Sequence, residues 1–223
     1  HPVIDILIPT YGRAERIADI SANVHAATAS EHRLWFILEN DDTPSWNAAA
    51  KAEGRLIPNT RSRSYAGAIN TAAAVTFGEH LFCGADDLHF VPGWDTAALA
   101  LFDGWTGVVG TNDLLNPYVL QGMHSTHSLV ARWYLDHIGG VVDEGPGSFL
   151  HEGYGHNYTD TEFIGTAKAR ARFRPCLDSV VRHLHQSAGF TPHDATHDKA
   201  EATYGADSEL YDARRPLWQN LSR

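Results

Sequence analysis

Apolar runs alternating with helical patterns most constrain what this chain can fold into. Residues 3–9 form a near-continuous apolar run broken only by Asp5. Such a run reads as a strand of a parallel sheet, buried on both faces. Ile17, Ile20, Val24 and Ala27 follow at helical spacing and predict a helix over 13–28 with one apolar face. Residues 34–38 are the next strand. Thr43-Pro44 predicts an N-cap with proline at the first helical position, and Gly54 ends that helix. A strand at 55–57, an Ala-rich helix at 65–77 and a strand at 80–85 continue the order. This alternation predicts βαβ units and a parallel sheet.

Beyond Gly93-Trp94 the alternation loosens. The pattern predicts a helix at 97–102, a strand at 107–110 and a helix at 129–138 that stops at Gly139-Gly140. A loop rich in Gly, His and Tyr spans 145–157. A helix at 160–171 carries Phe163 and Ala167 on one side, and 180–185 reads as a strand. The tail, 186–223, is polar and poor in branched aliphatics. It is expected to pack as short helices or to be partly mobile.

Apolar residues make up 43% of 223, enough for one substantial core. Lys and Arg number 17 against 27 Asp and Glu, a net charge of −10 that disfavours a dedicated nucleic-acid binder. Cys83 and Cys176 are too few for a disulfide framework, and a reducing cytoplasm is the expected setting. No apolar stretch approaches about 18 residues, so no membrane span is expected. His1-Pro2-Val3-Ile4 leads straight into a strand, and no signal peptide is expected there.

The run Leu81-Phe82-Cys83-Gly84-Ala85-Asp86-Asp87 ends an apolar strand in two adjacent carboxylates. Like charges this close are comfortable only in water or beside a cation. Oxygen ligands at the carboxyl end of a strand suit a hard divalent ion, and open α/β sheets bind ligands at that edge. The plain alternative is an exposed turn. Later, Val181-Arg182-His183-Leu184-His185 places His183 and His185 on one face of a strand, which is also compatible with an ordinary polar face.

Five segments come in a telling order. They are Ile8-Pro9-Thr10-Tyr11-Gly12-Arg13; Ile37-Leu38-Glu39-Asn40-Asp41-Asp42; Ser64-Tyr65-Ala66-Gly67-Ala68-Ile69-Asn70; Gly84-Ala85-Asp86-Asp87 continued by Val91-Pro92-Gly93-Trp94; and 135–144 followed by Thr159-Asp160-Thr161-Glu162. In this order they resemble the GT-A glycosyltransferases over residues 3–185, especially glycosyltransferase family 2 and related phage-encoded enzymes. The opening is similar to Pro-Thr-Tyr-Asn-Arg, and the fourth segment to the Asp-x-Asp metal motif with its Pro-Gly-Trp continuation. Three positions depart: Gly84 replaces the first Asp of that motif, Thr159 the Glu of Glu-Asp, and Ser64 the Gly before the helix.

The resemblance implies an α/β chain with a GT-A, Rossmann-like, mostly parallel sheet flanked by helices in a single domain over 1–185. Residues 1–112 would be the nucleotide-sugar-binding half and 113–185 the acceptor and catalytic half. It implies transfer from a nucleotide-sugar, a UDP-sugar in first expectation, to an acceptor hydroxyl with inversion, assisted by Mn2+ or Mg2+. Pro9, Thr10, Tyr11, Arg13, Glu39, Asp41, Arg63, Asn70, Ala85, Asp86 and Asp87 are the implied donor-site residues. Asp86, with His183 or His185, is the implied metal set, and Asp160 the general base. An N-cap role is the alternative for Asp160. The acceptor stays open among a protein, a small molecule and a modified DNA base. A host cytoplasm is the setting if a phage encodes the chain. The competing readings are a nucleotidyltransferase, whose Gly-rich phosphate loop Pro9-Thr10-Tyr11-Gly12-Arg13 lacks, and a non-catalytic nucleotide- or sugar-binding module of the same fold.

Overall fold

The computed structural model describes residues 2–184, 189 and 195–222. Eight strands make one sheet: β1 (Ile4–Thr10), β2 (His32–Leu38), β3 (Arg55–Pro58), β4 (His80–Cys83), β5 (Leu88–Phe90), β6 (Val108–Asn112), β7 (Ser128–Ala131) and β8 (Phe173–His183). Their order is β3-β2-β1-β4-β7-β6-β8-β5. β1 pairs in parallel with β2 and β4, and β2 with β3. β7 is antiparallel to β4 and β6; β8 runs parallel to β6 and antiparallel to β5.

Each face of the sheet carries a core. Ile4, Ile6 and Ile8 point to one, with α1 (Ile17–Ala27), α2 (Thr43–Ala49) and α4 (Trp94–Leu99). Leu7 points to the other, with α3 (Tyr65–Val75), α6 (Arg132–His137) and α7 (Thr159–Ala169). This explains the unbroken apolar run of β1: alternate residues face different layers, and both layers are dry. Asp5 interrupts the run without penalty. It is fully buried, yet Arg33 Nε, Trp35 Nε1 and the Gly78 amide donate to it at 2.8, 2.8 and 2.5 Å.

The structure corrects several sequence expectations. Residues 129–131 lie in β7, and the helix expected from 129 begins only at Arg132. Leu129 and Val130 are buried on opposite faces of the sheet, a pattern that a short run cannot separate from a helix. β4 stops at Cys83, and the short β5 was not foreseen. Asp42 rather than Thr43 caps α2, accepting from Ser45 N at 3.3 Å. The tail holds a 20-residue helix, α8 (Ala195–Arg214), then α9 (Pro216–Gln219). The short α5 (Pro117–Leu120) precedes the segment that leads into β7. No helix among the described residues is long and apolar enough to cross a membrane.

Candidate active site

The parallel strands deliver their loops to one edge. β1 ends at Thr10 and β4 at Cys83, in register as neighbours, so the turns after both meet. There Arg13 Nη1 donates to Asp86 Oδ1 at 2.9 Å and lies 3.7 Å from Asp87 Oδ2. Arg16 Nη1 stands 4.0 Å from Asp86 Oδ1. From β8, His183 Nε2 approaches Asp87 Oδ2 at 3.4 Å. The ring of His127 packs edge-on against that of His183, and its Nδ1 sits 2.9 Å from the Cys83 carbonyl.

The electrostatics follow from burial. Burial, reinforced by Asp87 and opposed by Arg13, pushes Asp86 up to about 7. Burial acts on Asp87 too, but the His183 hydrogen bond and the charges of His183, His127 and Arg13 outweigh it. They hold Asp87 well below the carboxylate range. Burial, helped by the charge of His183, pushes His127 down to about 4. Burial likewise opposes charge on His183, but Asp87 wins and raises it.

Gly84, the departure from the metal motif, has a steric reason. A Cβ there would stand 2.5 Å from Ile8 Cδ1 and 3.0 Å from the Leu7 carbonyl oxygen. A larger residue there would have to displace the Ile8 side chain and press on the Leu7 carbonyl, so the β1–β4 seam favours glycine at that point.

A metal ion is compatible with this pair of acids. Asp87 Oδ1 is buried and lacks a hydrogen-bond donor, the kind of acceptor that a hard cation satisfies. Burial raises Asp86 even with Arg13 and Arg16 beside it, and a cation would oppose that rise. Among the described residues no group of three or more His, Cys, Asp or Glu side chains is gathered to hold an ion. His185 lies outside the described residues.

Beside the acids lies an exposed polar patch. Arg63 Nη2 pairs with Asp41 Oδ1 at 2.6 Å, and Arg63 Nε stands 3.6 Å from Glu39 Oε2. The Arg63 guanidinium lies 5.2 Å from the centre of the Tyr11 ring. Its hydrogen bond holds Asp41 below the usual carboxylate value. Asn59 Nδ2 fixes Glu39 at 2.7 Å. Thr10 is buried at the strand end behind this patch, after the half-buried Pro9, and its Oγ1 has no partner. Ala85 packs against the core beneath the acids.

Asn70 is brought elsewhere. Its amide donates to the Leu150 carbonyl and Glu152 Oε1 at 2.8 and 2.9 Å and accepts from Leu150 N at 3.0 Å. It ties α3 to the loop at 150–152 instead of facing the patch. Arg61, on the segment before α3, also meets Glu152, at 3.1 Å.

Asp160 stands in the first turn of α7. The N-cap is Tyr158, in a left-handed conformation with φ +66° and no side-chain cap bond, so Asp160 is not the cap. Its Oδ1 accepts from the Thr161 amide at 2.8 Å, and its Oδ2 lies 3.0 Å from His124 Nε2. Partial burial would raise Asp160, but the His124 bond and charge, the Thr161 amide and His127 lower it overall. Asp160 lines one small cavity with Cys83, the last residue of β4, and its charge acts on Tyr65, His127 and His183. Tyr65 and Asp160 line one small cavity with Ser125 and Thr126, and the buried Tyr65 hydroxyl has no partner. His124 and Tyr65 were not foreseen as site residues. Tyr65 sits inside a motif segment; His124 sits in none, and its 36-residue separation from Asp160 leaves no local signal.

Glu162 faces inward. It is 2% exposed and is bound by Tyr154 OH at 2.7 Å and by Arg214 Nε at 2.9 Å.

The mostly parallel sheet flanked by helices is a GT-A fold, as the solved structures it matches establish. Solved structures with this fold agree along nearly the whole chain. A mannosyltransferase from Pyrobaculum calidifontis, in complex with GDP-Man and Mn2+, matches with a TM-score of 0.63 at 15% identity, covering 99% of this chain and 74% of that one. Glucosyl-3-phosphoglycerate synthase from Mycobacterium tuberculosis, in complex with Mn2+, UDP and phosphoglyceric acid, matches with a TM-score of 0.67 at 11% identity, covering 96% and 78%. The chain belongs to glycosyltransferase family 2: the family model described as "Glycosyl transferase family 2" matches residues 5–150. No curated protein matches the sequence.

Proposed function

We propose that this glycosyltransferase moves a sugar from a nucleotide-sugar to an acceptor hydroxyl, with inversion and with the help of Mn2+ or Mg2+. The observation that carries the reading is the Arg13–Asp86–Asp87–His183 cluster at the sheet edge just past Cys83, with Asp160 lining the same small cavity as Cys83. Of the two similar structures, one holds GDP-Man and the other UDP, each with Mn2+.

In this reading the nucleoside lies over the ends of β1 and β2, with Tyr11 under the base and Glu39 and Asp41 accepting from base or ribose. Arg63, which now neutralises those acids, pins them in place. Asp86 would hold the ion, with Asp87 and His183 beside it, and the bound ion would supply Lewis-acid stabilisation of the departing diphosphate. Arg13 keeps Asp86 and Asp87 in one orientation. Asp160 takes the acceptor proton as the hydroxyl attacks the anomeric carbon from the side opposite the nucleotide. His124 Nε2 and the Thr161 amide hold one Asp160 oxygen each, which fixes the carboxylate for that transfer.

Titration calorimetry with UDP and with GDP, each with and without MnCl2, tests the donor and metal together. Wild-type protein is expected to bind one of them only with Mn2+, and Asp86→Ala to lose that binding while melting cooperatively. Undiminished Mn2+-dependent binding by Asp86→Ala would remove Asp86 from the metal site. Mass-spectrometric screening of UDP- and GDP-sugars for Mn2+-dependent hydrolysis then names the donor.

A further inference from the structure

We infer that α8 acts as a bracket that positions Asp160, through Asp207 on one side and Arg214 on the other; the inference rests on Asp160 being the base. Asp207 is 3% exposed. Its carboxylate accepts three consecutive amides: Gly155 N on Oδ1 at 2.7 Å, then His156 N and Asn157 N on Oδ2 at 3.0 and 2.8 Å. An anion gathering successive amides fixes a loop conformation that the sequence alone leaves free. Here the loop is the Gly- and His-rich segment that ends at α7.

Two turns further along the same helix, Arg214 closes the other side. It is 9% exposed and forks onto Glu162, Nε to Oε2 at 2.9 Å and Nη2 to Oε1 at 2.8 Å. It also forks onto Asp143 at 3.0 and 2.7 Å. Residues seven apart lie on one helix face, roughly 10 Å apart along the axis. α8 is therefore a ruler between two points of the chain, residues 155–157 and residue 162. Only four residues separate them, and Asp160 is one.

The packing agrees. A Cβ at Gly155 would meet Thr203 Cγ2 at 2.6 Å, so glycine lets α8 lie against the loop. Tyr158, the left-handed residue between the anchors, stacks on Tyr211 with ring centres 4.9 Å apart. Asn157 Nδ2 donates to the Ala200 carbonyl at 2.8 Å. Neither Asp207 nor Arg214 touches the acids of the donor site, which makes them positioning residues.

Asp207→Asn tests this with the smallest change in shape. Three backbone amides and Asn157 Nδ2 converge on the two oxygens, and an amide must turn its own donors toward at least one of them. Hydrogen exchange at the amides of 155–157 should speed about tenfold, the equivalent of one lost hydrogen bond. The 15N signals of the His124 imidazole report its bond to Asp160. They should move toward those of Asp160→Asn, whereas Asp212→Asn, on an exposed part of the same helix, should leave them alone. Neither measurement needs a substrate. With whichever of UDP-glucose and GDP-mannose the wild type hydrolyses in Mn2+, Asp207→Asn should lower kcat roughly 10–100-fold with donor KM unchanged. Native His124 signals and native exchange in folded Asp207→Asn overturn the bracket. If Asp207→Asn does not fold, Arg214→Lys, which keeps the charge but not the fork, should shift the same signals, and native signals there overturn it equally. Full hydrolysis by Asp160→Asn would instead end the base reading and leave the bracket intact.

Discussion

Arg13 Nη1 lies 2.9 Å from Asp86 Oδ1, with the two side chains 8% and 5% exposed, so a nearly dry ion pair stands where the metal reading needs a cation. Removing one partner of such a pair is costly, about 3–5 kcal/mol, because a buried charge is left uncompensated. Arg13→Gln is therefore expected to lower the melting temperature. A divalent ion at the same acids would replace the lost charge. Mn2+ with UDP should raise the melting temperature of Arg13→Gln more than that of wild type. Equal shifts in the two proteins would mean that the ion does not reach these acids.

The Tyr11–Arg63 contact makes a separate prediction. The ring and guanidinium stand 5.2 Å apart over Asp41 and Glu39, on the exposed side of the acids. If a base stacks on Tyr11, Tyr11→Ala should weaken nucleotide affinity roughly tenfold, the scale of one lost base–aromatic stack. Arg63→Ala should weaken it less, since its role is to hold the two acids. Calorimetry with the nucleotide bound by the wild type measures both. Native affinity in Tyr11→Ala would move the nucleoside off this patch.

The parts of the fold legible in sequence are those whose residues meet water or core alone. β1 could be read because Ile4, Ile6 and Ile8 face one layer and Leu7 the other. α1 could be read because Ile17, Ile20 and Val24 fall on one buried face. α8 was not legible as one long helix because its buried anchors are Asp207 and Arg214, and polar burial leaves no apolar period. The acid pair at Asp86 and Asp87 was legible as motif, and so was the segment holding Asp160. Arg13 was legible as a site residue, but its pairing with Asp86 across 73 residues was not, and neither was His124, which meets Asp160 across 36. The Gly84 departure also reads differently in three dimensions, as a close approach of β4 to Ile8.

His80 predicts a pH effect remote from the site. It sits at the start of β4 with its ring 4.4 Å from that of Phe102, and its Nδ1 is buried without a partner. Burial lowers its pKa below 6.5, and the charge of Glu79 only partly opposes this. The unfolded chain thus takes up the proton first. The contribution of neutral His80 to stability is fully present above pH 6.5 and is lost as pH falls through the depressed folded value. His80→Gln should flatten the part of the acid loss that begins just below pH 6.5. Urea midpoints measured from pH 7.5 down to pH 5 check it. Parallel curves for mutant and wild type would assign that loss to other groups.

Asp160 allows the sharpest separation of chemistry from structure. Its carboxylate is held by the Thr161 amide at 2.8 Å and by His124 at 3.0 Å, and Tyr158 occupies the N-cap position. A first-turn acid also favours the helix dipole, by about 0.3–1 kcal/mol. Asp160→Asn removes that charge and the basicity but keeps the shape. If Asp160 is only a helix residue, turnover should stay native while stability falls by no more than that amount. If it is the base, turnover should fall roughly 10²–10⁴-fold with donor affinity unchanged. His124→Gln adds the orienting partner: it retains a donor for Oδ2 and should cost far less than His124→Ala, which leaves that oxygen free to rotate. Rate and melting temperature are measured together, with water as acceptor where no other is known. The base assignment fails if Asp160→Asn turns over at the native rate, and the orienting role of His124 fails if His124→Ala does.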